Sequence, residues 1–206
     1  MIKKYAAEFI GTFFIVLSVG LTSNPLAIGI LLTALVYIWG NCSGAHFNPA
    51  ITLSFWSDGI MSTREALVFV AGQVMGAFAG SELVLYLSGA AFMPVPSDSI
   101  TPLQFAVIQF LFTFILVMAY LILFNTERFR KNQVYGIVIG FTFYTIIAIT
   151  SPLSGIGSNP AMSLGFSTFE ILLGGDSYIH LPIYILSPLI AGWAGAYAFR
   201  FFEPFE

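Results

Sequence analysis

Apolar residues dominate long stretches of this chain, and the polar ones cluster between them. Near 5–22, 26–42, 66–89, 103–124, 133–150 and 178–201 the runs are close to the roughly 20 apolar residues that cross a bilayer as a helix. The second run crowds the first through Ser23-Asn24-Pro25, which reads as a tight turn. Two shorter apolar stretches, Ile51-Thr52-Leu53-Ser54-Phe55-Trp56 and Met162-Ser163-Leu164-Gly165-Phe166, cannot span. They read as re-entrant half-helices, which a membrane tolerates only inside protein or along a cavity. The pattern predicts an all-α membrane protein with six transmembrane helices and two half-helices.

Composition agrees. With 58% hydrophobic and 8% charged residues and a mean hydropathy of +0.91, the chain has too little charge for a water-exposed surface. The net charge of −3 suggests no nucleic-acid partner, and the single Cys42 excludes an intrachain disulfide. Met1-Ile2-Lys3-Lys4 leads straight into a helix, with no cleavable signal evident. Lys3, Lys4, Arg64, Arg128, Arg130, Lys131 and Arg200 all fall on one side of a six-span model, opposite Asp98, Glu170 and Asp176. The positive-inside rule then makes both termini cytoplasmic, in a cell (inner) membrane.

The chain also repeats itself. The segment around Glu8, Gly11 and Thr12 is echoed around Gln109, Phe112 and Thr113. Ser43-Gly44 precedes Asn48-Pro49-Ala50 at the offset by which Ser154-Gly155 precedes Asn159-Pro160-Ala161. The row Gly72, Gly76, Gly80 has its counterpart in Pro188, Gly192, Ala196, and reads as a helix-packing face. One membrane domain, 1–206, thus divides into repeats 1–90 and 102–206. Three spans per repeat force the two to enter from opposite sides, an inverted repeat.

Asn-Pro-Ala is a sound helix start, with Asn as N-cap and Pro at the first helical position. A capping Asn turns its oxygen to its own backbone, leaving its NH2 donors free. Two half-helices meeting near the midplane would bring their positive ends together beside Asn48 and Asn159. Water could accept from these donors in single file, and a cation would be repelled. One Asn-Pro-Ala is an ordinary turn. Two copies at matching places, each opening a short apolar segment, are not.

The segments 43–52 and 158–165, supported by Ala7–Thr12, Gln73–Gly76 and Pro188–Gly192, resemble the aquaporin (major intrinsic protein) family over nearly the whole chain. Cation exclusion by converging half-helix ends is a known device of that family. The resemblance implies six helices and two half-helices in a right-handed bundle, one pore per subunit, a homotetramer, water and small neutral solutes as cargo, the lipid bilayer as surroundings, and no cofactor. It also implies that backbone carbonyls of Gly44, His46, Gly155 and Gly157 line the pore. Glu8 would accept hydrogen bonds from the second half-helix loop, and Gln109 would stand where a second Glu is usual.

This chain departs from the family where an arginine usually follows the second motif: it has Met162. Counting without gaps, the other selectivity-filter positions fall on Ile28, Ile147 and Ile156. All four are apolar. Such a filter cannot replace hydration and can gate by dewetting. Phe47 and Ser163 differ from the Leu and Asp usual in glycerol facilitators. The expected function is a passive channel for water and other small neutral solutes. The alternatives are a channel mainly for less polar solutes or metalloid acids, and an occluded, scaffold-like member.

Other classes fit poorly. A coupled transporter would want a charged midplane site, and only Glu82 is available, with a structural or interfacial role favoured. Cys42, His46 and His180 lack the spacing of a metal or catalytic set. Ser154-Gly155-Ile156-Gly157-Ser158 has no lysine for a phosphate loop.

Overall fold

In the computed structural model, which describes residues 1–93, 95–129, 132–155 and 157–203, every long apolar run is a helix. They are α1 (Ile2–Leu21), α2 (Pro25–Ser43), α4 (Thr63–Ser88), α5 (Pro102–Asn125), α6 (Tyr135–Ser154) and α8 (Leu181–Phe202). The half-helices are α3 (Pro49–Ser57) and α7 (Pro160–Leu172). Among the described residues six helices are long and apolar enough to cross a membrane, counting for α8 the single 3-10 turn that leads into it from Ser177.

Caps set most boundaries. The Asn24 side chain accepts from Leu26 and Ala27 N–H and so starts α2 directly after the expected turn. Ser62 caps α4 through Glu65 N–H, starting it three residues before the apolar run alone suggested. Thr101 and Gln104 form a capping box on α5. Helix α6 runs to Ser154 rather than 150, carrying Pro152 in its last turn without the hydrogen bond a residue there would make to the Ala148 carbonyl.

The glycine row on α4 works as a packing face. A Cβ on Gly72 or Gly80 would lie 2.8 Å from the carbonyl oxygen of Tyr5 or Phe13, and one on Gly76 would overlap that of Phe9. Backbones of α1 and α4 therefore touch over three turns. Gly192 on α8 meets the Ala50 carbonyl in the same way. Helices α5 and α8 pair as α1 and α4 do, and α2 lies on α6. The half-helices cross over: α3 seats against α8, and α7 against α4, where Gly165 admits the Ala77 backbone. Glu82 is exposed on α4.

Candidate functional site

Both half-helices begin as their residue types dictate. Asn48 Oδ1 accepts from Ala50 N–H (2.9 Å), and Asn159 Oδ1 from Ala161 N–H (3.1 Å) and Met162 N–H (3.4 Å). Their amide groups are not wholly free, as the sequence had suggested. Asn48 Nδ2 donates to Ser158 O (2.6 Å), and Asn159 Nδ2 donates to Phe47 O (2.9 Å). Each NH2 has two hydrogens. One ties the two loops together head to head, and one remains for a solute. The carbonyls they reach belong to the residues preceding the opposite Asn, and both those residues are left-handed, Phe47 at φ 50° and Ser158 at φ 64°. A bulky residue held there is strained, a conformation that persists where its surroundings over-determine it. The Phe47 ring is seated on Gly11 of α1, where any Cβ would overlap it.

Glu8 is fully buried and anchors the first loop. Its Oε1 accepts from Ser43 Oγ (2.6 Å) and His46 N–H (3.1 Å), its Oε2 from Phe47 N–H (2.7 Å) and Gln73 Nε2 (2.7 Å). The expectation that Glu8 serves the second loop is thereby corrected. Helix α1 packs on α2 and α4 and faces the loop that α2 leads into. The second loop belongs to Gln109, whose Oε1 accepts from Ser158 N–H (2.7 Å) and whose Nε2 donates to Ser154 Oγ (3.0 Å). Gly157 lacks a side chain where one would overlap that amide.

Around the first loop, Gln73 Nε2 also donates to Thr52 Oγ1 (2.8 Å), which lies 3.2 Å from both Asn48 O and His46 Nδ1. Thr52 has one hydroxyl hydrogen. When it goes to Asn48 O, His46 Nδ1–H is the donor and Nε2 is left as an acceptor. Sequence reading missed Tyr120, whose hydroxyl donates to Ala45 O (2.9 Å), and Tyr184, which donates to Ser154 O (2.6 Å).

Where the two loops meet, Asn48 and Asn159 line a cavity of about 10 Å³, close to the space one water centre needs. Its other walls are apolar side chains of α1, α2, α3, α5 and α6, with His46 and Tyr120. Of the four filter positions, Ile28 and Met162 are 0% exposed and Ile147 2%, all within one contiguous apolar cluster, while Ile156 lies outside the described residues. Among the described residues no cluster of His, Cys, Asp or Glu could hold a metal ion.

The far end of α3 is clamped. Arg200 Nη1 donates to Ser57 O (3.2 Å), and its Nε lies 3.6 Å from Asp58 Oδ1, a carboxylate with a fully buried side chain and no hydrogen bond among the described residues. A cation suits a helix C-terminus and an anion does not, so Arg200 compensates for Asp58. Burial raises the Asp58 carboxyl above its ordinary 3.8, and Arg200 offsets part of that rise. A raised folded value means that the folded state holds the proton more tightly, so stability falls as pH climbs above the ordinary value. Arg200→Gln is expected to steepen that fall, and adding Asp58→Asn to abolish it. Unfolding temperature measured against pH checks both; an unchanged slope in Arg200→Gln would sink the clamp.

The profile of the major intrinsic protein family matches residues 1–199. The chain belongs to that family. Among its relatives, aquaporin NIP1-4 of Oryza sativa is 32% identical, over 96% of this chain and 76% of its own length. Aquaporin AqpM of Methanothermobacter marburgensis is 29% identical, over 97% and 96%. The X-ray structure of the aquaglyceroporin from Plasmodium falciparum superposes with a TM-score of 0.86, covering 96% of this chain and 95% of that one at 19% identity, which shows the fold. The protein is therefore an integral membrane channel of the major intrinsic protein family, for water or small neutral solutes, and not an enzyme.

Proposed function

We propose that this channel passes water and small neutral solutes passively through an apolar outer constriction formed by Ile28, Ile147, Ile156 and Met162. The apolar character of Ile28, Ile147 and Met162 carries the reading: none can hydrogen-bond a solute, and because Ile28 and Met162 are closed to a water-sized contact, the side chains must part for a solute to pass. Further in, the free amide hydrogens of Asn48 and Asn159 orient the solute, and the carbonyls of Gly44, His46, Gly155 and Gly157 accept from it. The converging positive ends of α3 and α7 oppose cations. Water must cross the outer level without replacing its lost hydration, so weakly hydrated neutral solutes are favoured there. Relatives named as aquaporins support water as cargo. The protein works as a homotetramer in the cell membrane, both termini cytoplasmic, with residues 1–90 and 102–206 as inverted repeats; the paired packing of α1 on α4 and α5 on α8 supports the last point.

Stopped-flow light scattering on proteoliposomes tests this with an impermeant osmolyte and then urea. Wild type is expected to pass both faster than empty vesicles. Met162→Arg, which puts a fixed donor and charge into the constriction, should slow urea re-swelling several-fold. Wild-type flux no greater than that of empty vesicles would instead make the chain an occluded member, and urea flux indifferent to Met162→Arg would remove Met162 from the filter.

A further inference from the structure

The cavity at the Asn48–Asn159 junction has a neighbour. On the side of the chain termini lies a vestibule of about 330 Å³, lined by Lys4, Asn41, Glu65, Phe124 and others. Among the described residues one side chain lines both spaces, that of His46. Across the level of this ring the space falls from about 330 Å³, room for many waters, to about 10 Å³, room for one.

Tyr120 belongs to the same level. It lines the inner cavity, and its ring stacks on Phe124 of the vestibule wall, with centroids 5.8 Å apart and planes at 12°. The His46 ring stands edge-on to it at 6.4 Å and is backed by Phe55 at 4.4 Å. Neither ring is loose. His46 is tied to Thr52, and the Tyr120 hydroxyl to Ala45 O, and both side chains are buried. The second tie has a chemical consequence: the Ala45 carbonyl is occupied by protein and is lost to the solute.

We propose that Tyr120 is a specificity-determining residue of this channel, forming with His46 an inner constriction that sets the largest solute admitted. The proposal rests on the channel reading above and adds a second narrow level, on the opposite side of the Asn pair from the apolar filter. Two constrictions in series select independently. A solute must be slim enough for the ring pair whatever happens at Met162.

The test therefore widens the outer level first. In proteoliposomes, Met162→Ala is expected to raise water flux and still exclude glycerol. Met162→Ala with Tyr120→Ala should admit glycerol, raising its flux by about an order of magnitude. Met162→Ala with Tyr120→Phe keeps the ring packed on Phe124 and should exclude glycerol as before. Tyr120→Leu replaces the alanine variant if the latter fails to elute as folded protein. Glycerol entry in Met162→Ala alone, at the rate of the double variant, would overturn the proposal. So would a double variant that carries water quickly and excludes glycerol. Failure of the outer-filter reading shows differently, as a Met162→Ala water flux equal to wild type, and there Tyr120→Ala alone must still speed water or the inner constriction falls as well.

Discussion

Glu8→Ala is expected to remove most of the folded protein. The carboxylate accepts four hydrogen bonds in a site with no water access, two of them from backbone N–H groups of the first loop. Alanine leaves the two backbone N–H groups and the Ser43 hydroxyl buried and unpaired, at about 1–3 kcal/mol each, and takes from Gln73 Nε2 one of its two acceptors, so the loss should reach about 4 kcal/mol or more. Glu8→Gln separates anchoring from shape. Whichever end of the glutamine carries the NH2, it faces a backbone N–H, of His46 or of Phe47, and one donor stays orphaned. That variant should lose about 1–3 kcal/mol. Gln109 tolerates the amide because its loop offers it one backbone N–H, from Ser158, and a serine hydroxyl that can accept. Thermal unfolding in detergent, followed by tryptophan fluorescence, ranks the three. A Glu8→Ala transition within about 2 °C of wild type would show that the loop holds itself.

The second large effect is expected at the α1–α4 contact. Gly76→Ala places a methyl group on the Phe9 carbonyl oxygen. Both partners are helix backbone, so no rotamer change relieves the overlap and the helices must part. Overpacking typically costs about 1–3 kcal/mol, and a rigid backbone contact belongs at or above the top of that range. The displacement also reaches the site, because α1 carries Glu8 and α4 carries Gln73. Water flux per folded channel should fall along with unfolding temperature. Met75→Ala, one residue away on an exposed face, is the control that should do neither. Equal stability of Gly76→Ala and wild type would mean that the helices do not touch as described.

Much of this could be read from the sequence because it is local or periodic. Apolar run length announces the spans, Asn-Pro announces the half-helix starts, and glycines four apart announce the close contact. Glu8 and Gln109 stand out as polar residues in apolar runs. What could not be read involves partners far apart in the chain. Asn48 with Ser158, Asn159 with Phe47, and Tyr120 with Ala45 are pairs separated by 110, 112 and 75 residues. No spacing rule connects them. Tyr120 in particular is one aromatic residue in an aromatic-rich span, and only its neighbours in space distinguish it. The assignment of Glu8 to the wrong loop came from the family resemblance, and a lone acceptor in an apolar run does not show the direction in which it faces.

The crossed seating of the half-helices has a consequence in time. As the chain leaves the ribosome, α3 is complete long before its seat, because that seat is α8, which begins only at Leu181. Nine residues of helix, with an N-terminus whose backbone needs partners, cannot rest alone in hydrocarbon. Until α8 emerges, the first loop must wait near the surface or in the shelter of the insertion machinery. The conducting path is thus assembled in a single late step, and a chain truncated before residue 181 leaves no partly open pore behind.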